Sequence, residues 1–304
     1  MNKKNLISII ILVVLILLFA YTKFNNHTEK KISFFKADTL TLAKAVLSTP
    51  KDTITVVLDG GNWRLDSPIN AKIEKKRIDD LLGSLSVQTS NIPISESKAK
   101  FDKYSVTDSL GTRAQLYDKK GKLLDDIVIG KSGNYSFCNA RGYNSNKIYQ
   151  LEKNIMWHFK PDMKTWRDKV VFKTDKNNIV AIDVKFKKNH YSVALQDTVW
   201  KYKNGKKAFD IKKNNKTLSG LFSFVSNVTA SDFIDNDFET YKAKLAKPTV
   251  VVKVATVNGA NITFTIVEKD KSKYILMKDK DETPLYEIYK HNVDKLDKKD
   301  KDFK

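Results

Sequence analysis

Apolar and polar residues alternate along Thr53-Ile54-Thr55-Val56 and again along Ile179-Val180-Ala181-Ile182-Asp183-Val184, the pattern of strands with one buried face. A different period governs two later stretches. Ile78, Leu81, Leu82 and Leu85 recur at i, i+3, i+4 and i+7, and Leu218, Leu221, Phe222 and Val225 repeat that stripe. Each stripe predicts a helix with one apolar face. The two sets are related. Residues 34–65 laid on 171–202 at a shift of 137 put Phe35 on Phe172, Asp38 on Asp175, Leu42 on Ile179, Val56 on Val193, Leu58 on Leu195 and Trp63 on Trp200. The helix stripes match at 140, Phe101 and Tyr104 fall on Phe238 and Tyr241 at 137, and Ile148-Tyr149 falls on Leu285-Tyr286. A match carried this far predicts a tandem duplication.

Within the first repeat the pattern predicts strands over 42–47, 54–58 and 63–66, a helix over 74–85 and a short helix near 97–104. Further strands are expected over 113–118, 123–129, 135–139 and 148–151. Gly121 and Asn258-Gly259 supply matching hairpin turns. The expected fold class is therefore α+β: two tandem duplicated units, each an antiparallel-rich sheet with one main covering helix. Trp63 and Trp200 should hold equivalent places against the helices that follow them. The expected organisation is an anchor over 1–22, a linker over 23–33, repeats over 34–169 and 170–295, and a charged, disordered tail over 296–304.

Residues 6–21 are an unbroken apolar run behind Lys3 and Lys4. As a helix the run is about 24 Å long, somewhat short of a ~30 Å hydrocarbon core. Tyr21 at the interface and snorkelling by Lys4 and Lys23 would cover the difference. The expected membrane contacts are Leu6, Ile9, Ile10, Leu15, Leu17 and Tyr21, with the bilayer as partner. A cleaved signal peptide is the rival reading; no A-x-A pattern follows the run, and no Cys that would accept a lipid. Lys3, Lys4 and the terminal amine favour a cytoplasmic N-terminus, against the pull of Lys23, Lys30 and Lys31. The body is expected outside the cytoplasm, in the periplasm of a bacterial envelope.

Composition narrows the classes without naming an activity. The 304 residues are 41% hydrophobic and 11% aromatic, enough for two folded cores. Net charge is +20, carried almost wholly by Lys, which is interleaved with Asp through both repeats. Nucleic-acid binders gather Arg, Lys and aromatics into a stripe, so nucleic acid is not expected as a partner. Contact with an anionic polymer or lipid headgroup stays open. Cys138 stands alone, which excludes a disulfide framework within the chain.

No reaction centre is legible. Gly130-Lys131-Ser132-Gly133 echoes a phosphate loop, but Asp125 occupies the position of its first glycine, so a hairpin turn is expected. His27, His158, His190 and His291 lie in different elements without metal-ligand spacing. Asp79-Asp80 and Asp125-Asp126 are adjacent, so each pair points to two different faces. No cofactor, metal site or catalytic residue is expected. At the junction of the repeats, Trp157, Trp166, Arg167 and Asp168 form a candidate seam, read as a capping cluster with an aromatic and basic cleft as the alternative.

Several features together suggest a family. Trp63-Arg64-Leu65 with Pro68 leads into the helix of Leu81-Leu82 and Leu85, followed by Ile129-Gly130, Ile148-Tyr149 with Leu151, and Arg167-Asp168-Lys169 opening the next unit. Over most of residues 34–296 this resembles the bacterial family catalogued as domain of unknown function 4340. Tyr104-Ser105-Val106 stands where the family pattern has a Gly-Leu turn, and Asn204-Gly205 replaces a proline after Trp200-Lys201-Tyr202. The resemblance implies a membrane-anchored, extracytoplasmic, internally repeated protein, often encoded beside an ABC exporter of the gliding-motility type. The expected function is a non-enzymatic accessory subunit of a transporter or envelope complex, with an ABC-type permease and ATPase as partners. The alternative is an envelope protein binding an anionic polymer or lipid headgroup.

Overall fold

A computed structural model describes residues 3–24, 29–187, 189–281 and 284–304; within the first helix, side chains are described for residues 10–20. The chain divides into two compact units, one ending at Arg167 and the other Asp168–Lys304. The first unit opens with helix α1 (Lys3–Phe24) and strand β1 (Lys31–Ser33). A meander follows: β2 (Leu42–Ser48), β3 (Thr53–Asp59), β4 (Asn62–Ser67) and β5 (Ala71–Lys72). Helix α2 (Lys75–Ser84) and β6 (Gln88–Ser90) lead to a second meander of β7 (Thr112–Asp118), β8 (Leu123–Gly130), β9 (Cys138–Gly142) and β10 (Ile148–Leu151). Two short helices, α3 (Met156–Phe159) and α4 (Met163–Trp166), close the unit.

The second unit runs β11 (Val170–Lys173), β12 (Ile179–Phe186), β13 (Asn189–Gln196), β14 (Val199–Asn204), β15 (Lys207–Asp210) and α5 (Lys216–Val225). It continues through β16 (Asn227–Thr229), β17 (Asp232–Ile234), α6 (Phe238–Leu245), β18 (Val250–Thr256), β19 (Asn261–Glu268), β20 (Lys273–Lys278), β21 (Leu285–Tyr289) and α7 (Lys290–Asp294).

Among the described residues, the first unit forms a sheet in the order β1-β6-β10-β9-β8-β7-β2-β3-β4-β5. The main sheet of the second reads β17-β21-β20-β19-β18-β12-β13-β14-β15, with β11 and β16 as a separate pair. Among the described residues the strand pairings are antiparallel, so the fold is sheet-rich α+β. In both units two meanders join edge to edge at their first strands, β2 with β7 and β12 with β18. Register agrees as well as order. Leu47 faces Ile54 as Val184 faces Tyr191, and Leu58 faces Trp63 as Leu195 faces Trp200, each at a shift of 137.

One sheet face in each unit is covered by the connecting helix. Ile78 and Leu81 of α2, with Leu85 just beyond it, pack on Ala45, Leu47, Val56 and Leu65. Leu218, Leu221, Phe224 and Val225 of α5 pack on Val184, Val193 and Tyr202. Asn215 caps α5 by accepting from the Leu218 N–H at 2.9 Å. Trp63 and Trp200 are half-buried against these cores, and the Trp200 ring meets Phe222 of α5 edge-on at 4.9 Å.

Several expectations need correction. The strand expected over 135–139 lies at Cys138–Gly142, because 131–137 is a loop turned by Ser132 and Asn134. The short helix expected near 97–104 is a single 3-10 turn, Lys98–Lys100. The second unit carries α6 besides its main helix. The largest departure is the tail. Leu296 and Phe303 are fully buried, with the Phe303 ring 5.3 Å from Tyr191 and 4.8 Å from Tyr202. Tyr191 Oη donates to Leu296 O at 2.8 Å and Tyr202 Oη to Asp300 Oδ1 at 2.7 Å. Two apolar anchors outweigh the solvated Lys and Asp between them. The α3–α4 segment does the same work in the first unit, where Phe159 stacks on Phe35 at 5.8 Å and Trp166 is fully buried.

Among the residues whose side chains are described, no helix is long and apolar enough to cross a membrane. The described side chains of α1 cover 10–20, about 16 Å of rise, within a helix of 22 residues.

Phe303→Ala should lower the stability of the second unit by about 3 kcal/mol, the usual cost of emptying a buried aromatic site. Denaturant unfolding followed by tyrosine and tryptophan fluorescence measures this. An unchanged transition would mean that the tail is not part of the core.

Candidate functional site

The residues singled out in the sequence do not converge. Ile10, Leu15 and Leu17 are 55%, 56% and 63% exposed on α1, and the side chains of Leu6, Ile9 and Tyr21 lie outside the described residues. At the junction, Trp157 is exposed, with Lys160 Nζ 5.5 Å from its ring. Trp166 is a core residue whose Nε1–H donates to Lys160 O at 2.7 Å. Arg167 is buried and bridges Ile73 through the backbone, while Asp168 accepts from the Val170 N–H at 2.9 Å. Trp166 and Arg167 are therefore packed into their surroundings rather than lining an open aromatic wall.

The paired carboxylates also serve structure. Asp79 and Asp80 pair with Lys75 and Lys76 one turn earlier on α2, each at 2.8 Å. Asp125 is buried and accepts from the N–H groups of Lys36 and Ala37, at 3.0 and 2.7 Å, fastening that segment to β8. Asp126 takes a bidentate contact from Arg113 at 2.8 and 2.7 Å.

One nucleophile–base contact was missed in the sequence because its members are far apart in the chain. Ser84 Oγ lies 2.7 Å from His158 Nδ1, beside a cavity of about 270 Å³. The same Oγ donates to Asp80 O at 2.7 Å, and Ser84 is buried. Burial lowers the His158 pKa, only partly opposed by Asp80. Ser84 Oγ thus bonds both the Asp80 carbonyl and His158 Nδ1, and the pair fastens α3 to the end of α2.

The polar architecture with most capacity for a ligand surrounds the ends of β8, β9 and β10. Gly130 ends β8 against the turn at Ser105; a Cβ there would lie 2.3 Å from Ser105 O, so glycine is required. Ser105 holds φ +57°, the left-handed conformation that favours glycine. Beyond Gly130, Lys131, Ser132, Gly133 and Phe137 line a cavity of about 330 Å³ with Lys103 and Asn139. Asn139 is 4% exposed. Its Nδ2 donates to Tyr104 O at 3.2 Å and Lys131 O at 3.4 Å, which fixes the amide orientation, and its Oδ1 has no partner among the described residues. An adjoining cavity of about 730 Å³ shares Phe137 and Gln150, and adds Ile92, Pro93 and Ile94.

Nearby, Arg141 of β9 is buried and ties the strand to the preceding turn. Its Nε donates to Val106 O at 2.8 Å, its Nη1 donates to Gly142 O and Tyr143 O, and its guanidinium lies 4.2 Å from the Phe101 ring. Desolvation lowers its pKa, with Asp108 opposing from 3.5 Å. Backbone carbonyls absorb most of its hydrogen-bonding capacity.

The corresponding place in the second unit is built differently. Gln150, third residue of β10, corresponds to Glu287, third residue of β21. Lys131, directly after β8, corresponds to Lys269, directly after β19. Asn139 faces Gln150 across the ladder, and Ile275 faces Glu287. Glu287 is 2% exposed and pairs with both Lys269 and Lys273. Burial raises its carboxyl, but the hydrogen bonds and charges of the two lysines prevail and hold it below the ordinary 4.5. Asp300 is held at about 2 by hydrogen bonds from Lys207 and Tyr202.

Both folded values lie below the unfolded ones. Their stabilisation is present above pH ~4.5 and is lost as pH falls towards ~2. Glu287→Gln strands two lysines that are about one-third exposed, and should cost about 2 kcal/mol near neutrality. It should also flatten the acid dependence of the second unit. Unfolding midpoints between pH 7 and 3 measure both, and a variant with the wild-type slope would contradict the assignment.

No curated protein and no solved structure matches the chain. A family model described as "Domain of unknown function (DUF4340)" matches residues 63–248, from β4 through α6 and the turn after it. The match spans most of the first unit's ordered sheet and half of the second, more than half of the chain, and so the protein belongs to the DUF4340 family.

Proposed function

We propose that this chain is a membrane-anchored, extracytoplasmic accessory protein, without catalytic activity of its own, in a transporter or envelope complex. The observation that carries the reading is α1. Its large apolar side chains from Ile10 to Leu18 are each 48–63% exposed. A helix that is apolar on every side belongs in a nonpolar surrounding. Its unbroken apolar run, residues 6–21, corresponds to about 24 Å of rise, which snorkelling by the lysines on either side would extend towards a ~30 Å hydrocarbon core. Lys3 and Lys4 at its start favour a cytoplasmic end and an external body.

The matched strand order and register of the two units support descent by tandem duplication. A doubled sheet scaffold offers extended edges and faces to partners. A second reading, contact with an anionic polymer or lipid headgroup, is favoured by Lys103 and Lys131 beside the unpartnered Asn139 acceptor.

The full chain, tagged at its C-terminus, should resist alkaline carbonate extraction from its native membranes. After mild detergent solubilisation it should elute with a polytopic permease and a nucleotide-binding subunit. Release by carbonate would remove the anchor, and elution as a lone monomer would remove the accessory role.

A further inference from the structure

The two units place different chemistry at one topological position, and the difference has the form of an open binding site in the first. In the second unit, Lys269 after β19 is neutralised by Glu287 of β21, and Ile275 fills the neighbouring slot in the sheet. In the first unit the same three places hold Lys131, Gln150 and Asn139. The carboxylate is replaced by a neutral amide, the apolar residue by a buried amide with an orphan acceptor, and the lysine faces a cavity. The wall of that cavity contains Lys103 and Lys131 and no carboxylate among the described residues. Two lysines with no carboxylate among the residues that line the cavity with them call for negative charge.

The adjoining cavity defines the rest of the ligand. Ile92, Pro93, Ile94, Phe137 and Leu151 give it an apolar wall, with Ile92 and Ile94 42% and 39% exposed. Its acidic members, Glu29 and Glu152, lie in this lobe, and Lys31 engages Glu152 at 2.7 Å. An anionic group therefore belongs at the Lys103–Lys131 end and an alkyl portion along the isoleucines. Position agrees with this polarity. Glu29 lines the groove, and α1 ends at Phe24. Five residues of chain reach at most about 18 Å, so the groove stays near whatever holds the end of α1.

We infer that the groove between β10, the 92–94 segment and the 131–137 loop binds one anionic amphiphile of the bilayer. Its phosphate would sit between Lys103 and Lys131, and its acyl chain would follow Ile92, Ile94 and Phe137. The assignment rests on the anchored, headgroup-binding reading above and gives it a place and a ligand class. Gln150 is the specificity element: a carboxylate there would satisfy Lys131 internally, as Glu287 satisfies Lys269.

The test uses the full chain in a neutral detergent, titrated with short-chain phosphatidylglycerol, short-chain phosphatidylcholine or inorganic phosphate. Binding is read by calorimetry, and the fold of each variant by its thermal transition. Phosphatidylglycerol should bind saturably and at least about tenfold more tightly than either other probe, a difference of about 1.4 kcal/mol. Gln150→Glu and Lys131→Ala should each weaken it by a similar factor with the thermal transition retained, while Lys253→Ala on the second unit should not. Equal binding of the two lipids, or wild-type affinity in both groove variants, would overturn the site. Phosphate binding as tightly as phosphatidylglycerol would overturn the amphiphile. Carbonate extraction of the same variants reports the anchor separately, so a failed site and a failed anchor give different results.

Discussion

Each unit depends on one non-local ladder. Two meanders are local and form through short turns, but they make a single sheet only when β2 pairs with β7, or β12 with β18. The strands of the first pair are more than sixty residues apart, so the loop-closure entropy between them must be offset by the surface they bury together. Alternation supplies that surface. Ala45 and Leu47 of β2 and Ala114 and Leu116 of β7 are fully buried, as are Ile182 and Val184 of β12 with Val250 and Val252 of β18. The helix between the meanders is carried across the same face and covers the junction. A slip of one residue would turn these side chains to the other face, which explains why both units keep the same register.

With the ladder in place, the ends of β8 to β10 and β19 to β21 are brought to equivalent positions, and the two units resolve the polar chemistry there in opposite ways. A buried carboxylate between two lysines completes the second unit from within. The first unit leaves an amide acceptor and a lysine at a cavity. Fold and stability are compatible with either arrangement, since the ladder and the helix carry the core. The local difference is therefore free to serve recognition.

Much of the scaffold was legible in the chain because it rests on period. The i, i+3, i+4, i+7 stripes identified α2 and α5, and the gapless alignment of Trp63 with Trp200 anticipated their shared place opposite Leu58 and Leu195. The tail was misread because its composition is charged while its packing depends on only two apolar residues, Leu296 and Phe303. The start of β9 was misplaced because Tyr135 and Phe137 resemble strand residues, yet Ser132 and Asn134 turn that segment into a loop, leaving Tyr135 95% exposed. The groove left only a partial motif, Gly130-Lys131-Ser132-Gly133, read as a turn because Asp125 stands in place of the first glycine of a phosphate loop. Its members come from five separated segments, and the second clue, Gln150 against Glu287 in the aligned units, carries meaning only once Lys131 and Lys269 are known to lie beside them.

Native-state hydrogen exchange on the full chain tests the common construction of the two units most directly. The slowest amides of the first unit should lie in β2 and β7, those of the second in β12 and β18, and both profiles should decline outward to β5 and β15. Aligned at a shift of 137 to 138, the profiles of the two units should coincide strand for strand. Central strands that exchange as fast as β5 and β15, or profiles that do not align, would contradict the claim that one long-range ladder organises each unit.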